Sequence, residues 1–257
     1  QCENFLIANN MINNVVAMKY TTGATSTYIA TGIRFSAGAT LARIINNTVV
    51  VNAAQTGATV NYAQHGIYLV STMTAAQILN NIVINNGVGT GSYAIYSASN
   101  TNISAATVNN NNYSTPSGVV GFYGGAAQAT LAAWQAATGK DANSFNITPG
   151  FVSANDLHLT TAPTPLESAG ASAAVTLVTN DIDNQLRPGP VGSINGGGTN
   201  PDIGADEMDA TPIFPPTLTF TSITGTDCNT ALAHTVVADA APASGTLSSF
   251  VVTYSFN

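Results

Sequence analysis

Side chains able to do chemistry are few in this chain of 257 residues, and they are unevenly placed. Charged residues make up 7% of it, five Lys and Arg against twelve Asp and Glu, for a formal net charge of −7. Between Glu3 and Asp141 there is no Asp or Glu, and the formal charges there are Lys19, Arg34, Arg43 and Lys140. Glycoside hydrolysis usually needs two carboxylates, one to protonate the leaving oxygen and one to attack or to activate water. That span supplies neither. Lyase chemistry would instead use a cationic or tyrosyl base and neutralise a uronate, often through calcium held by acidic side chains. His65, Tyr62, Tyr68 and Arg34 are candidate pieces, but no carboxylate cage accompanies them. A lone His65 beside Gly66 at a strand start reads as a turn or surface residue. We therefore assign no catalytic residue. Tyr62, Tyr68, Tyr93 and Tyr96 remain as rings on which a linear sugar could stack.

The acids gather near the other end. Asp181, Asp183, Asp202, Asp206, Glu207 and Asp209 are six of the twelve. Asp181, Asp183, Asp202 and Asp206 could hold calcium through carboxylate oxygens, although their spacing matches no calcium loop. Arg187 sits among them as an ion-pair partner, with Glu207 in the same group. Five basic residues against this acidity leave nothing to neutralise phosphates, which excludes nucleic acid as a natural partner.

The elements that must position these residues announce themselves by repetition. Ile44-Ile45-Asn46-Asn47-Thr48-Val49-Val50-Val51-Asn52 has an earlier copy at Ile7 to Asn14, a later one at Ile78 to Asn86 and a worn one at Thr107 to Asn112. Counting from Asn9 to Asn46, to Asn80 and to Asn109 gives steps of 37, 34 and 29 residues, in the range of stacked-repeat architectures. A second phrase recurs between them: Gly32-Ile33-Arg34-Phe35, Gly66-Ile67-Tyr68-Leu69 and Tyr93-Ala94-Ile95-Tyr96. Short Ile- and Val-rich runs bounded by Asn and Gly read as strands between turns. No helical period accompanies them. The expected fold is all-β, a right-handed parallel β-helix solenoid over residues 1–125 with Ile44, Val49, Ile78, Ile82 and Ile84 pointing inward. Asn46, Asn47, Asn80 and Asn81 then tolerate left-handed turn angles and stack their amides as a ladder. The alternative for these Asn residues is a row that binds sugar.

After Gly124-Gly125 the pattern changes. Residues 126–137, with Leu131 and Trp134 three apart, read as a short capping helix ended by Gly139, which lays Trp134 over an open apolar edge. Residues 126–209 then close the solenoid. In this closing segment Ile182 and Ile203 are expected to tuck inward while the neighbouring carboxylates turn out or onto Arg187. Pro-rich residues 210–216 form a semi-rigid linker. Residues 217–257 alternate as half-buried strands and read as the start of an immunoglobulin-like β-sandwich module. No run approaches the roughly 18 to 20 apolar residues of a membrane span, so membrane insertion is not expected. Cys2 and Cys228 lie in different modules, which argues against a disulfide between them. Both termini fall within repeat-like or strand-like runs, as in a piece cut from a longer protein.

The run from Thr130 to Ser144, then Pro149-Gly150-Phe151-Val152, Asn155 to Leu159, Asp181 to Pro188 and Pro201 to Glu207 resembles the closing segment of bacterial right-handed β-helix surface proteins. It is similar to the choice-of-anchor Q type of domain in large secreted proteins of Bacteroidota. Thr164-Pro165-Leu166-Glu167-Ser168 departs from it, since the family tends to carry an Asp there. The resemblance implies a non-catalytic structural or adhesive module, secreted and at the cell surface, joined to other modules of one long chain. It also implies export by the type IX secretion route, with contacts to surface polysaccharide or to secretion and motility machinery. A carbohydrate-binding or lyase-like β-helix and a self-assembling filament subunit are the alternatives. No cofactor is expected beyond possible use of calcium.

Overall fold

The computed structural model of the chain describes residues 2–16, 29–36, 38–52, 63–70, 73–87, 91–116, 118–189, 200–210, 217–223 and 236–241. Strand is the dominant element, as short β-branched runs between Asn and Gly turns require. Among the described residues the α-helices are two short ones, α1 (Thr101–Ser104) and α2 (Leu131–Thr138).

Each repeat contributes one strand to each of three parallel sheets. The first sheet holds Leu6–Ala8, Arg43–Ile45, Gln77–Leu79 and Thr107–Asn109, and the second Met11–Val15, Thr48–Val51, Ile82–Asn85 and Asn112–Ser114. The third holds Ile29–Phe35, Ala63–Leu69, Tyr93–Ser97 and Val119–Tyr123. Register is kept along each: Ile7, Ile44, Ile78 and Val108 are successive partners. So are Ile12, Val49, Val83 and Tyr113, and Ile33, Ile67, Ile95 and Gly121. These columns pack into one interior cluster together with Trp134. Burying each Ile there stabilises the stack by roughly 1.5 to 3 kcal/mol.

Two expected inward residues face the other way. Along Ile82–Asn85 the pleat alternates, so Val83 enters the interior while Ile82 and Ile84 join Val50 on the outer face. There they pack against Leu157, Leu159, Leu166, Ile203 and Met208. On the neighbouring sheet Ile45 and Leu79 meet Ala174 and Val178. The closing segment thus lies along the flank of the stack, burying sheets on both faces. Unbroken apolar runs such as Thr48–Val51 follow from that burial.

The expected helix is shorter than its sequence pattern. Ala126–Gln128 is a strand, antiparallel to Gly121–Tyr123, and α2 begins only where the Thr130 hydroxyl accepts from the Ala133 N–H. Gly139, at φ 66°, ends it. Trp134 lies so close to Gly121 that a Cβ there would come within 2.3 Å of the indole. Residues 211–216 of the expected linker lie outside the described residues. Of the expected sandwich, Thr217–Ile223 and Val236–Ala241 form an antiparallel pair, and the remainder lies outside as well, Cys228 included. No described helix is long and apolar enough to cross a membrane.

Candidate functional site

The Asn pairs divide their labour. Asn9, Asn46, Asn80 and Asn110 take left-handed angles, at φ 53°, 53°, 57° and 54°. The worn copy is therefore aligned on Asn110, one residue later than its first Asn suggests. The second member of each pair builds a ladder. The backbone and side-chain amides of Asn10 donate to Asn47 Oδ1 at 3.2 and 2.8 Å. Those of Asn47 donate to Asn81 Oδ1, and those of Asn81 to Asn111 Oδ1, all at 3.0 Å. Asn46 and Asn80 also share a column, 3.5 Å from Nδ2 to Oδ1.

A residue that the sequence reading passed over ends the ladder. Asn111 Nδ2 donates to Asp141 Oδ1 at 3.0 Å, where Ser144 Oγ also donates at 2.5 Å. Trp134 Nε1 donates to Asp141 Oδ2 at 2.7 Å, with the Tyr113 hydroxyl at 3.4 Å. Burial pushes the Asp141 carboxyl above its ordinary range, and these four donors work against the rise. Trp134 is therefore both the lid of the apolar interior and a donor to its terminal acid. The available signal was spacing, because Asp141 stands 30 residues beyond Asn111, one further repeat step.

On the third sheet the structure brings Tyr68, Tyr93 and Tyr96 together with Arg34, His65 and Phe122. Tyr62 lies outside the described residues. The register aligns Arg34, Tyr68, Tyr96 and Phe122 in one row and His65 beside Tyr93 in another. Tyr96 stacks on Phe122 with centroids 4.8 Å apart and planes 5° apart, and on His65 at 4.9 Å and 27°. Tyr68 meets Tyr96 edge to face at 4.8 Å, with the Arg34 guanidinium 5.3 Å from its own centroid. A sugar stacking on Tyr96 would have to displace Phe122 or His65, so we read the row as a structural counterpart of the Asn ladder. His65 is not a surface or turn residue. It sits within Ala63–Leu69 at 2% exposure, and Gly66 follows it because a Cβ would lie 2.1 Å from Val83 Cγ1. Burial, with the positive Arg34 adding to it, lowers the His65 pKa to about 4.

The charged residues of the closing segment are held inside rather than turned out. Arg187 Nη1 donates to Glu207 Oε2 at 2.5 Å, and neither side chain has any exposure. Its Nη2 donates to Gly204 O at 3.1 Å and Asn9 Oδ1 at 3.4 Å, fastening the segment to the first repeat. The Asp202 carboxylate accepts from Ser168 N at 2.6 Å and Met208 N at 2.8 Å. That of Asp181 accepts from the backbone of Asp183, Gln185 and Glu207. Irregular backbone lacks ladder partners, so carboxylates take their place. The expected arrangement around the two Ile residues is thereby corrected. Ile203 is buried, Ile182 is 38% exposed, and Asp181 and Asp202 point in. Glu167 accepts from Ala210 N and the Ser168 hydroxyl, and burial raises its pKa to about 7. Burial likewise raises Glu207, against the pull of Arg187, and Asp202 further still.

Of the four acids considered for calcium, the structure brings Asp183 and Asp206 together, with His158 as the third member of the group. Asp181 and Asp202 are taken up by backbone N–H groups. His158 had no sequence signal beyond its alternation with Asp156 along the strand Asp156–Leu159.

Comparison with family models, curated proteins and solved structures finds no match to this chain.

Proposed function

We propose that this chain is a non-catalytic structural module, a right-handed parallel β-helix whose flank is reinforced by its own closing segment. The carrying observation is continuity: three parallel sheets run in register through four repeats, broken by one shift between Ile12 and Val15, and the Asn ladder runs beside them from Asn10 to Asp141. Such a body resists bending and shear because each repeat is hydrogen-bonded to the next along several lines at once. The resemblance of residues 105–209 to the closing segments of Bacteroidota surface proteins supports placing it in a large secreted surface protein or fibre. The absence of Asp and Glu between Glu3 and Asp141 weighs against glycoside hydrolysis on the sheets.

A panel of neutral and uronate-containing polysaccharides, read for new reducing ends and for unsaturated products, tests this reading. The expected result is no turnover. Release of either product, abolished by His65→Gln or Tyr68→Phe, would overturn it.

A further inference from the structure

We propose that His158, Asp183 and Asp206 form a binding site for one divalent transition-metal ion of the zinc class, a site separate from the structural role argued above. One ligand atom from each lies within 4.8 Å of the others. A zinc ion roughly 2.0 to 2.2 Å from each donor brings such atoms to within about 3.5 Å of one another, a small contraction of the observed group.

Two of the three donors are already oriented. His158 Nδ1 lies 2.5 Å from Asp156 Oδ1, which leaves Nε2 as the ring atom facing the other two acids, 2.9 Å from Asp183 Oδ2. A carboxylate behind an imidazole in this way is the usual outer partner of a metal-ligating histidine, fixing its tautomer and raising its basicity. Leu159 N holds Asp206 Oδ2 at 2.8 Å, so that the second oxygen of this buried carboxylate is left for a ligand.

Charge supplies an independent argument. Three carboxylates, those of Asp156, Asp183 and Asp206, face one imidazole. Every described Lys and Arg is engaged elsewhere: Arg34 over Tyr68, Arg43 with Asn4 and Gln77, Lys140 on Ala106 O, Arg187 on Glu207. Among the described residues no cationic side chain other than His158 itself offsets this group, and a divalent ion would. An imidazole nitrogen with two carboxylate oxygens suits zinc or manganese better than calcium, which takes six to eight oxygens. Asp183 is exposed, so water can complete the coordination shell.

Isothermal titration of the tag-free chain, carrying Cys2→Ser and Cys228→Ser to remove competing thiols, tests the proposal with zinc chloride and calcium chloride as probes. One equivalent of zinc is expected to bind and to raise the melting temperature, with calcium weaker. His158→Gln and Asp183→Asn should each lower zinc affinity by about tenfold or more. Cobalt should give visible absorption that Asp183→Asn removes. Should His158→Gln fail to fold, Asp183→Asn on its exposed turn decides, its fold being checked by melting without metal. Absence of zinc binding, unchanged affinity in Asp183→Asn, or calcium binding as tight as zinc would overturn the proposal.

Discussion

The stack and its closing segment bury polar groups by opposite means. Along the stack the buried Asn ladder is built of neutral amides, and each serves the next: Asn81 accepts twice from Asn47, and its Nδ2 donates to Ile44 O, Leu79 O and Asn111 Oδ1. In the closing segment the buried polar residues are ionisable groups, the carboxyls of Glu167, Asp181, Asp202, Asp206 and Glu207 beside Arg187. The difference follows from regularity. Where the backbone repeats, one side-chain type can satisfy every level, since neighbours present identical groups at identical spacing. Where it does not, each N–H needs its own acceptor, and a carboxylate with two oxygens serves several at once.

The largest expected effect is therefore a missing rung. Asn81→Ala would remove five buried hydrogen bonds, and at about 1 kcal/mol for each we expect a loss of about 5 kcal/mol. Asn10→Ala removes the same side chain at the exposed end of the ladder, where water substitutes, and should cost under about 1 kcal/mol. Chemical denaturation measures both. Equal costs would show that the ladder is a surface row rather than an internal support.

Next comes the charged clasp. Arg187→Ala leaves Glu207 buried without its cation, a change of about 3 to 5 kcal/mol. It should loosen residues 181–189 and 200–210 while the first and second sheets keep their protection. Hydrogen exchange resolves the two regions. Loss of protection spreading evenly through residues 43–51 and 77–85 would mean that the segment and the stack are one cooperative unit.

Legibility in the sequence followed the same division. Repeated Ile-Asn-Asn runs disclosed the stacked strands, because an alignment of equal environments produces equal residues. Other turns hide: Leu41 and Ala75 adopt φ 54° and 53°, the angle taken by Asn4 in the first repeat, yet neither residue type signals it. Ile82 and Ile84 were misdirected for a physical reason. Their outward burial depends on a segment more than 70 residues away, and no local period encodes it. Asp141 was readable from spacing, whereas His158 meets Asp183 and Asp206 only through the path of an irregular loop. Charges alone located the clasp, but not which carboxylates would be drawn inside.

In their response to pH the third sheet, through His65, and the closing segment, through Glu167, should move in opposite directions. Glu167 has its carboxyl raised from an ordinary 4.5 to about 7 in the folded protein. The unfolded chain gives up that proton first, so the stability linked to Glu167 is complete below pH 4.5 and is lost as pH rises through 7. His65 has its pKa lowered from 6.5 to about 4. There the unfolded chain takes the proton first, and the stability is complete above pH 6.5 and lost as pH falls through 4. Each shift corresponds to about 3 kcal/mol, from 1.36 kcal/mol per pH unit of displacement. In the parent the two largely offset each other between pH 4.5 and 6.5. Subtracting parent from variant isolates each: the stability of Glu167→Gln relative to the parent should rise by about 3 kcal/mol between pH 4.5 and 7. For His65→Gln the relative stability should fall by about 3 kcal/mol between pH 4 and 6.5. Outside those windows both differences should be flat. Denaturation at half-unit steps of pH reads both curves, and parallel profiles for parent and variants would mean that neither group is buried in the form that unfolds.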